Sequence, residues 1–247
     1  MNQPKAIVVV IPARDESELI GRCLESVLAA KRFAESRPHK ARVSIVVVAD
    51  RCTDDTAAVA RGFAGVTVVQ IDAGNVGLAR RTGVMLALES SEALPAQVWI
   101  ANTDADSVVP EHWLVEQSEL ARHGAAVVLG TVLPDVDDLS DEQTAAWTAR
   151  RAAGILVGEI HGANLGIRAD VYLAAGGFPG VPEHEDVTLV DHCVALGADI
   201  VATDRCEVTT SGRQVGRTPG GFARYLRDDL VVDPRALAHP TTERSEK

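Results

Sequence analysis

Residues 6–11 are all apolar, and the run stops at the polar Pro12, Ala13, Arg14, Asp15, Glu16 segment. A short, unbroken apolar run rich in Val and Ile predicts a strand buried on both faces. Over residues 17–30 the pattern changes, because Leu19, Ile20, Leu24, Val27 and Leu28 recur at the spacing of one helical face. The plan then repeats. Residues 43–48 form a continuous β-branched run that ends at Ala49 and Asp50, after which Thr53 is placed to cap a helix extending to Phe63. Residues 66–71 predict a third strand, 77–88 a helix and 98–101 a fourth strand, and Pro110 stands where the first turn of the next helix would begin.

The second half is less regular. Residues 125–130 predict a strand, followed by an acidic stretch from Asp135 to Glu142 and an Ala-rich helix to about Ala153, which has the look of an insertion or lid. A short strand is expected at 165–167, a helix at 186–196 and a strand at 200–202. The tail, residues 239–247, is polar and is expected to be flexible. Strands that alternate with helices imply right-handed crossovers and a mainly parallel sheet, with ligands bound beyond the carboxyl ends of the strands.

Composition narrows this picture. Hydrophobic residues make up 46% of the 247 positions but aromatics only 4%, so Val, Leu, Ile and Ala must build the core, as in α/β proteins. A net charge of −11 argues against a nucleic-acid partner, which needs clustered Lys and Arg. Cys23, Cys52, Cys193 and Cys206 form no paired spacing, so neither a zinc ribbon nor a disulfide framework is indicated, and a cytoplasmic protein is expected. No apolar run approaches the roughly 20 residues of a transmembrane helix, although peripheral membrane contact is left open.

Chemistry concentrates in the polar loops. In Asn102-Thr103-Asp104-Ala105-Asp106 two carboxylates follow a strand with one residue between them. They repel each other unless a cation joins them, and magnesium or manganese bound to the oxygens of a diphosphate would do so. The competing account is an Asx turn that caps the following helix.

These residues, taken with others in order along the chain, resemble the family 2 glycosyltransferases. The resemblance is carried by Val10-Ile11-Pro12-Ala13-Arg14-Asp15-Glu16, by the Val46 to Thr56 segment containing Asp50, by Gly74-Asn75-Val76-Gly77 with Arg80 and Arg81, and by Asp104 and Asp106. It continues through Gly162-Ala163-Asn164-Leu165-Gly166-Ile167-Arg168, Gly176-Gly177-Phe178 and His184-Glu185-Asp186. The resemblance implies a GT-A fold, a mainly parallel mixed sheet flanked by helices, as one domain over residues 1–238. Within it, residues 1–107 would bind a nucleotide-diphospho-sugar and residues 108–238 an acceptor. It further implies a hexosyltransferase-like, inverting enzyme.

By the same resemblance the donor side comprises Pro12, Arg14, Glu16, Asp50, Asn75, Arg80, Asp104 and Ala105, with Asp50 facing the base, and the metal ligands are Asp104 and Asp106. The acceptor side comprises His161, Gly162, Ala163, Asn164 and His184. Asp186 would be the catalytic base, with its neighbour Glu185 the alternative; helix capping is the competing account of that pair. Either His161 or His184 could also be a third metal ligand. Arg213 and Arg217 are candidates for the diphosphate, and Gln214 and Arg217 match a processive Gln-x-x-Arg-Trp motif only loosely, since Thr218 stands in place of its Trp. A non-processive transferase is therefore expected. The alternatives are a sugar-phosphate nucleotidyltransferase, whose Gly-rich opening is missing from residues 12–16, and an inactive sugar-nucleotide-binding protein.

Overall fold

The computed structural model describes residues 3–38, 41–218 and 220–231, so the tail at 239–247 lies outside the described residues. In chain order the regular elements are β1 (Ala6–Ala13), α1 (Ile20–Glu35), β2 (Arg42–Asp50), α2 (Thr56–Arg61), β3 (Val66–Ile71), α3 (Val76–Glu89), β4 (Val98–Asn102) and β5 (Ser107–Val108). They continue with α4 (Trp113–Arg122), β6 (Val127–Pro134), α5 (Asp141–Ala152), β7 (Leu165–Arg168), α6 (Ala169–Ala174), α7 (Glu185–Ala195) and β8 (Ile200–Thr210).

One eight-stranded sheet has the order β3-β2-β1-β4-β7-β6-β8-β5. The first four strands are mutually parallel, as the alternation of strands and helices predicted, with Val10 opposite both Val46 and Asn102. β7 runs antiparallel between β4 and β6, and β5 runs antiparallel to β8. Because the parallel strands share one direction, Ala13, Asp50, Ile71 and Asn102 end at the same sheet edge, and their loops gather there.

Side chains that alternate along β1 enter two apolar layers. Ile7, Val9 and Ile11 pack with Leu24 and Val27 of α1 and Trp113 and Leu114 of α4. Val8 and Val10 pack with Ala79 and Val84 of α3, Tyr172 of α6, Phe178 and Leu189 of α7. Helices thus cover both faces, which is why the strands carry unbroken rather than alternating apolar runs.

The chain divides into two compact units, Met1–Asp135 with Leu156–Ser211, and Val136–Ile155 with Gly212–Lys247. The stretch expected as an insertion or lid belongs to the second. There α5 opens with a reciprocal capping box between Ser140 and Gln143. Trp147 of this helix meets Phe222 and Tyr225 edge-on, at ring separations of 5.9 and 6.4 Å. Gln143 and Gln214 exchange side-chain hydrogen bonds of 3.0 and 3.1 Å. Among the described residues no helix is long and apolar enough to cross a membrane.

Three sequence expectations shift. Thr53 does not cap α2, which begins at Thr56; its N–H and hydroxyl are given instead to Asp15. Pro110 lies before α4 rather than in its first turn, its carbonyl accepting from the Trp113 N–H. The strand expected at 200–202 runs on to Thr210, crossing a register shift opposite Gly130 and Val132.

Candidate active site

The loops after β1 and β2 are laced to each other by their own carboxylates. Asp15 accepts from the N–H and hydroxyl of Thr53, at 2.6 and 3.1 Å. Asp54 reciprocates, accepting from the Ser17 N–H at 2.9 Å and from the Thr56 N–H at 2.9 Å. The Thr56 hydroxyl in turn accepts from the Glu16 N–H at 2.7 Å. The Thr53 N–H draws the Asp15 carboxyl below its usual range, and for Asp54 the slight burial is outweighed by hydrogen bonds from Thr56 and Ser17, which lower it too. Among the described residues Asp15, Cys52 and Asp54 form a group with ligand atoms within 4.8 Å of one another. Burial pushes the Cys52 thiol up, and the two carboxylates hold the loops, so this group fastens the site rather than forming it.

Asp50, buried at the end of β2, anchors the third loop. One of its oxygens accepts from the N–H groups of Ala73 and Gly74, both at 2.8 Å, and the other from Asn75 at 2.7 Å. Asn75 then caps α3 by accepting from the Leu78 N–H at 2.9 Å, and its side-chain amide donates to the Val181 carbonyl at 2.8 Å. A chain of bonds therefore runs from β2 through the start of α3 to the segment that precedes α7.

One turn into α3, Arg80 lies on the buried face of the helix, its side chain only 4% exposed. It donates to the Asp104 carboxylate at 2.5 Å and to the Glu185 carboxylate. The ring of Phe178 lies 5.6 Å from the guanidinium carbon, and the backbone of Gly162 lies against the same group so closely that a Cβ there would be 2.3 Å from Nη2. Gly77 gives equal intimacy between α3 and the opposite wall, since a Cβ on it would meet the Pro179 carbonyl at 2.2 Å. Burial pulls the Arg80 guanidinium down, but Asp104, Glu185 and Asp186 raise it above its ordinary value. Burial pushes the Glu185 carboxyl up, against the pull of Arg80.

Asp186 differs from its neighbour. It is half-buried, not buried, and it accepts from the Gly162 N–H at 2.7 Å and the Val187 N–H at 2.9 Å. No ion-pair partner of Asp186 is found among the described residues, so its carboxylate keeps accepting capacity beyond the two N–H groups it already meets. Around Arg80, one guanidinium faces three carboxylates, which leaves a surplus of negative charge beside the 34% exposed Asp104. Hard carboxylate oxygens with surplus charge are the donor set that magnesium or manganese takes. Asp106, on the same loop, accepts from the Ser107 and Thr210 hydroxyls at 3.3 Å.

Arg14 is exposed, while Pro12, Glu16 and Ala105 are buried in the loop bases. His161 is half-buried, 3.5 Å from Glu159, and the exposed His184 lies 4.0 Å from Glu183. Gly162 and Ala163 are buried. Asn164, expected on the acceptor side, has its side chain wholly in the interior: its amide donates to the Thr131 and Cys206 carbonyls at 2.8 and 2.9 Å and accepts from the Trp113 indole at 2.9 Å. It has no surface to offer an acceptor. Arg213 and Arg217 belong to the second compact unit.

Among the described residues, three non-glycine residues have positive φ: Asp15 at 50°, Arg51 at 54° and His184 at 60°. Each stands in a loop or at a helix start of the region just described. Backbone strain of about 1–3 kcal/mol per residue persists only where surroundings enforce it, and it gathers at functional sites.

A family model described as glycosyl transferase family 2 matches residues 8–160. Among curated proteins, 4,4'-diaponeurosporenoate glycosyltransferase from Staphylococcus aureus (strain MRSA252) is 37% identical over 67 residues, which is 27% of this chain and 15% of that protein. Among solved structures, the mannosyltransferase PcManGT from Pyrobaculum calidifontis, in complex with GDP-Man and Mn2+, superposes with a TM-score of 0.64 at 18% identity. That match covers 88% of this chain and 59% of the mannosyltransferase. Glucosyl-3-phosphoglycerate synthase from Mycobacterium tuberculosis, in complex with Mg2+ and uridine-diphosphate, gives a TM-score of 0.50 at 18% identity over 81% of this chain and 72% of its own. The chain thus spans a small part of its curated relative and about three fifths of the first of these structures.

Proposed function

The chain belongs to glycosyl transferase family 2 and has the GT-A fold, and from that premise we propose that it transfers a sugar from a nucleotide-diphospho-sugar to an acceptor hydroxyl with inversion at the anomeric carbon. The observation that carries this reading is the contrast within one pair of neighbours: Glu185 is buried against Arg80, whereas Asp186 is half-buried and held by the Gly162 N–H. A hydroxyl is a poor nucleophile at neutral pH, and a carboxylate within hydrogen-bond reach accepts its proton as attack proceeds. Asp186 is that base. Glu185, committed to Arg80, is not.

On the donor side, Asp50 holds the 73–75 loop, and the laced loops after β1 and β2 form the base-facing wall. Asp104 and Asp106 would hold a divalent cation, which, when bound, neutralises the charge that develops on the departing diphosphate. Both solved structures named above hold a divalent cation and a nucleotide, which supports the same donor chemistry here. Transfer of one sugar per encounter fits Thr218 at the place where processive enzymes carry Trp.

The test is a panel of nucleotide sugars with and without Mn2+, read first by thermal shift and then by product. A donor that stabilises the protein only with metal, and that releases nucleoside diphosphate, supports the reading. Release of pyrophosphate instead would assign the chain to nucleotidyl transfer. Binding without transfer or hydrolysis across a broad acceptor set would leave a binding protein.

A further inference from the structure

Among the described residues Arg80 is the basic side chain most deeply enclosed, and none of its surroundings is left to a ligand. One end of its fork meets Asp104 on the β4 loop and the other meets Glu185 at the start of α7. One side is near the Phe178 ring, and Gly162 comes too close to admit even a methyl group. Only Nε is without a partner, and that atom is itself buried. A phosphate-binding arginine needs an open fork, because two parallel N–H groups must face the anion. This fork is closed at both ends by the protein's own carboxylates.

We propose that Arg80 is a positioning residue, a built-in cation that holds Asp104 and Glu185 in place and thereby moderates how strongly the Asp104 loop attracts a divalent ion. The proposal rests on the reading of Asp104 as a metal-bearing carboxylate, and it replaces the expectation that Arg80 grips the donor. Physically, a single guanidinium joins the loop that would carry the cation to the helix that carries Asp186. Arg80 competes with the cation for Asp104, so its charge weakens cation binding while its geometry keeps the carboxylates aimed.

Removing a phosphate-binding arginine weakens donor binding and has little reason to tighten cation binding. Removing Arg80 as described here adds one unit of net negative charge beside Asp104, so Arg80→Met should bind Mn2+ without nucleotide several-fold more tightly than the wild type. Its kcat should fall by tenfold or more, with a smaller change in donor KM. Arg80→Lys restores the charge but not the rigid two-ended fork that meets Asp104 and Glu185 through separate nitrogens, so Mn2+ affinity should return towards the wild-type value while kcat recovers only in part.

Mn2+ affinity is measured by electron paramagnetic resonance on the whole chain without donor, and stability by thermal unfolding of Arg80→Met, Glu185→Gln and the double variant. The double variant should unfold at a higher temperature than Arg80→Met, since Glu185 no longer carries an unpaired buried charge. Unchanged or weaker Mn2+ binding in Arg80→Met, or a rise in donor KM with kcat preserved, overturns the proposal. So does a double variant whose stability loss is the sum of the two single losses. If the wild type binds no Mn2+ at all, the metal-dependent reading of the function fails, and the thermal cycle still decides whether Arg80 holds Glu185.

Discussion

Two groups of carboxylates lie at one edge of the sheet, and they are used in opposite ways. Asp15, Asp50 and Asp54 spend their oxygens on backbone N–H groups and threonine hydroxyls of neighbouring loops. Asp104, Glu185 and Asp186 gather around one guanidinium that cannot neutralise them all. Negative charge met by backbone donors fastens a loop and has little left to give. Charge that exceeds its internal counter-ion is what a cation, a developing positive centre or a proton can use. The same kind of side chain therefore builds the frame in one region and, on the proposed function, the reactive surface in the other.

The largest effect should come from the region of surplus. Asp186→Asn keeps an oxygen to accept from Gly162, so the fold and donor affinity should be preserved, while turnover falls on the order of 10²–10⁴-fold. Steady-state kinetics beside donor titration checks this, and full activity in that variant would remove Asp186 from the mechanism. Next, Gly162→Ala places a methyl group where the Arg80 guanidinium lies, at a cost of about 1–3 kcal/mol. Its turnover should drop with its stability, as denaturant unfolding and kinetics together would show.

In the fastening region the effects should be structural first. Asp50→Ala strips three N–H donors of their acceptor, which costs about 1–3 kcal/mol. The amides of Ala73, Gly74 and Asn75 should lose protection in hydrogen exchange and the donor KM should rise with kcat little changed. Protection that survives would mean that the loop is held by something else.

The smallest effect is a pH dependence. The folded carboxyls of Asp15 and Asp54 lie below their ordinary 3.8, so their contribution is fully present above that value and is lost as the pH falls through the lower folded values. Asp54 is exposed and Asp15 only half-buried, so water screens them and the contribution is under about 1 kcal/mol. Asp54→Asn should therefore lose up to that amount near neutral pH and converge with the wild type at the acid end, which thermal unfolding across pH 2–7 would resolve.

Much of this could be read from the chain before its structure. β1, β2, β3 and β4 are short, mostly apolar runs rich in Val and Ile, a signal that depends on no partner, and the sequence expectations match them to within a residue or two. β8 extends past the sequence expectation because Asp204, Arg205 and Glu207 interrupt the apolar pattern, while pairing with β6 resumes at Val208 after a register shift. α6 follows β7 without a break and without a side-chain cap, so no punctuation announced it. At the site, the loops and the Glu185-Asp186 pair are legible in order along the chain, and the resemblance already favours Asp186 over Glu185, but the burial of Glu185 against Arg80 is not legible there. One clue was available: Arg80 shares a helical face with Val84 and Ala87, so a charge stood where the pattern asked for an apolar residue. Asn164 shows the reverse, a polar residue expected at the surface that instead serves four buried partners.

On the proposed function, surplus carboxylate charge at the Asp104 loop takes up a divalent cation together with the diphosphate donor. Isothermal titration of the nucleotide sugar found in the panel, with Mn2+ or with chelator, into the wild type and the Asp104→Asn/Asp106→Asn variant tests it most directly. The account predicts strong binding with Mn2+ to the wild type, at least tenfold weaker binding with chelator, and no metal dependence in the variant. Equal donor affinity in all four titrations would contradict it.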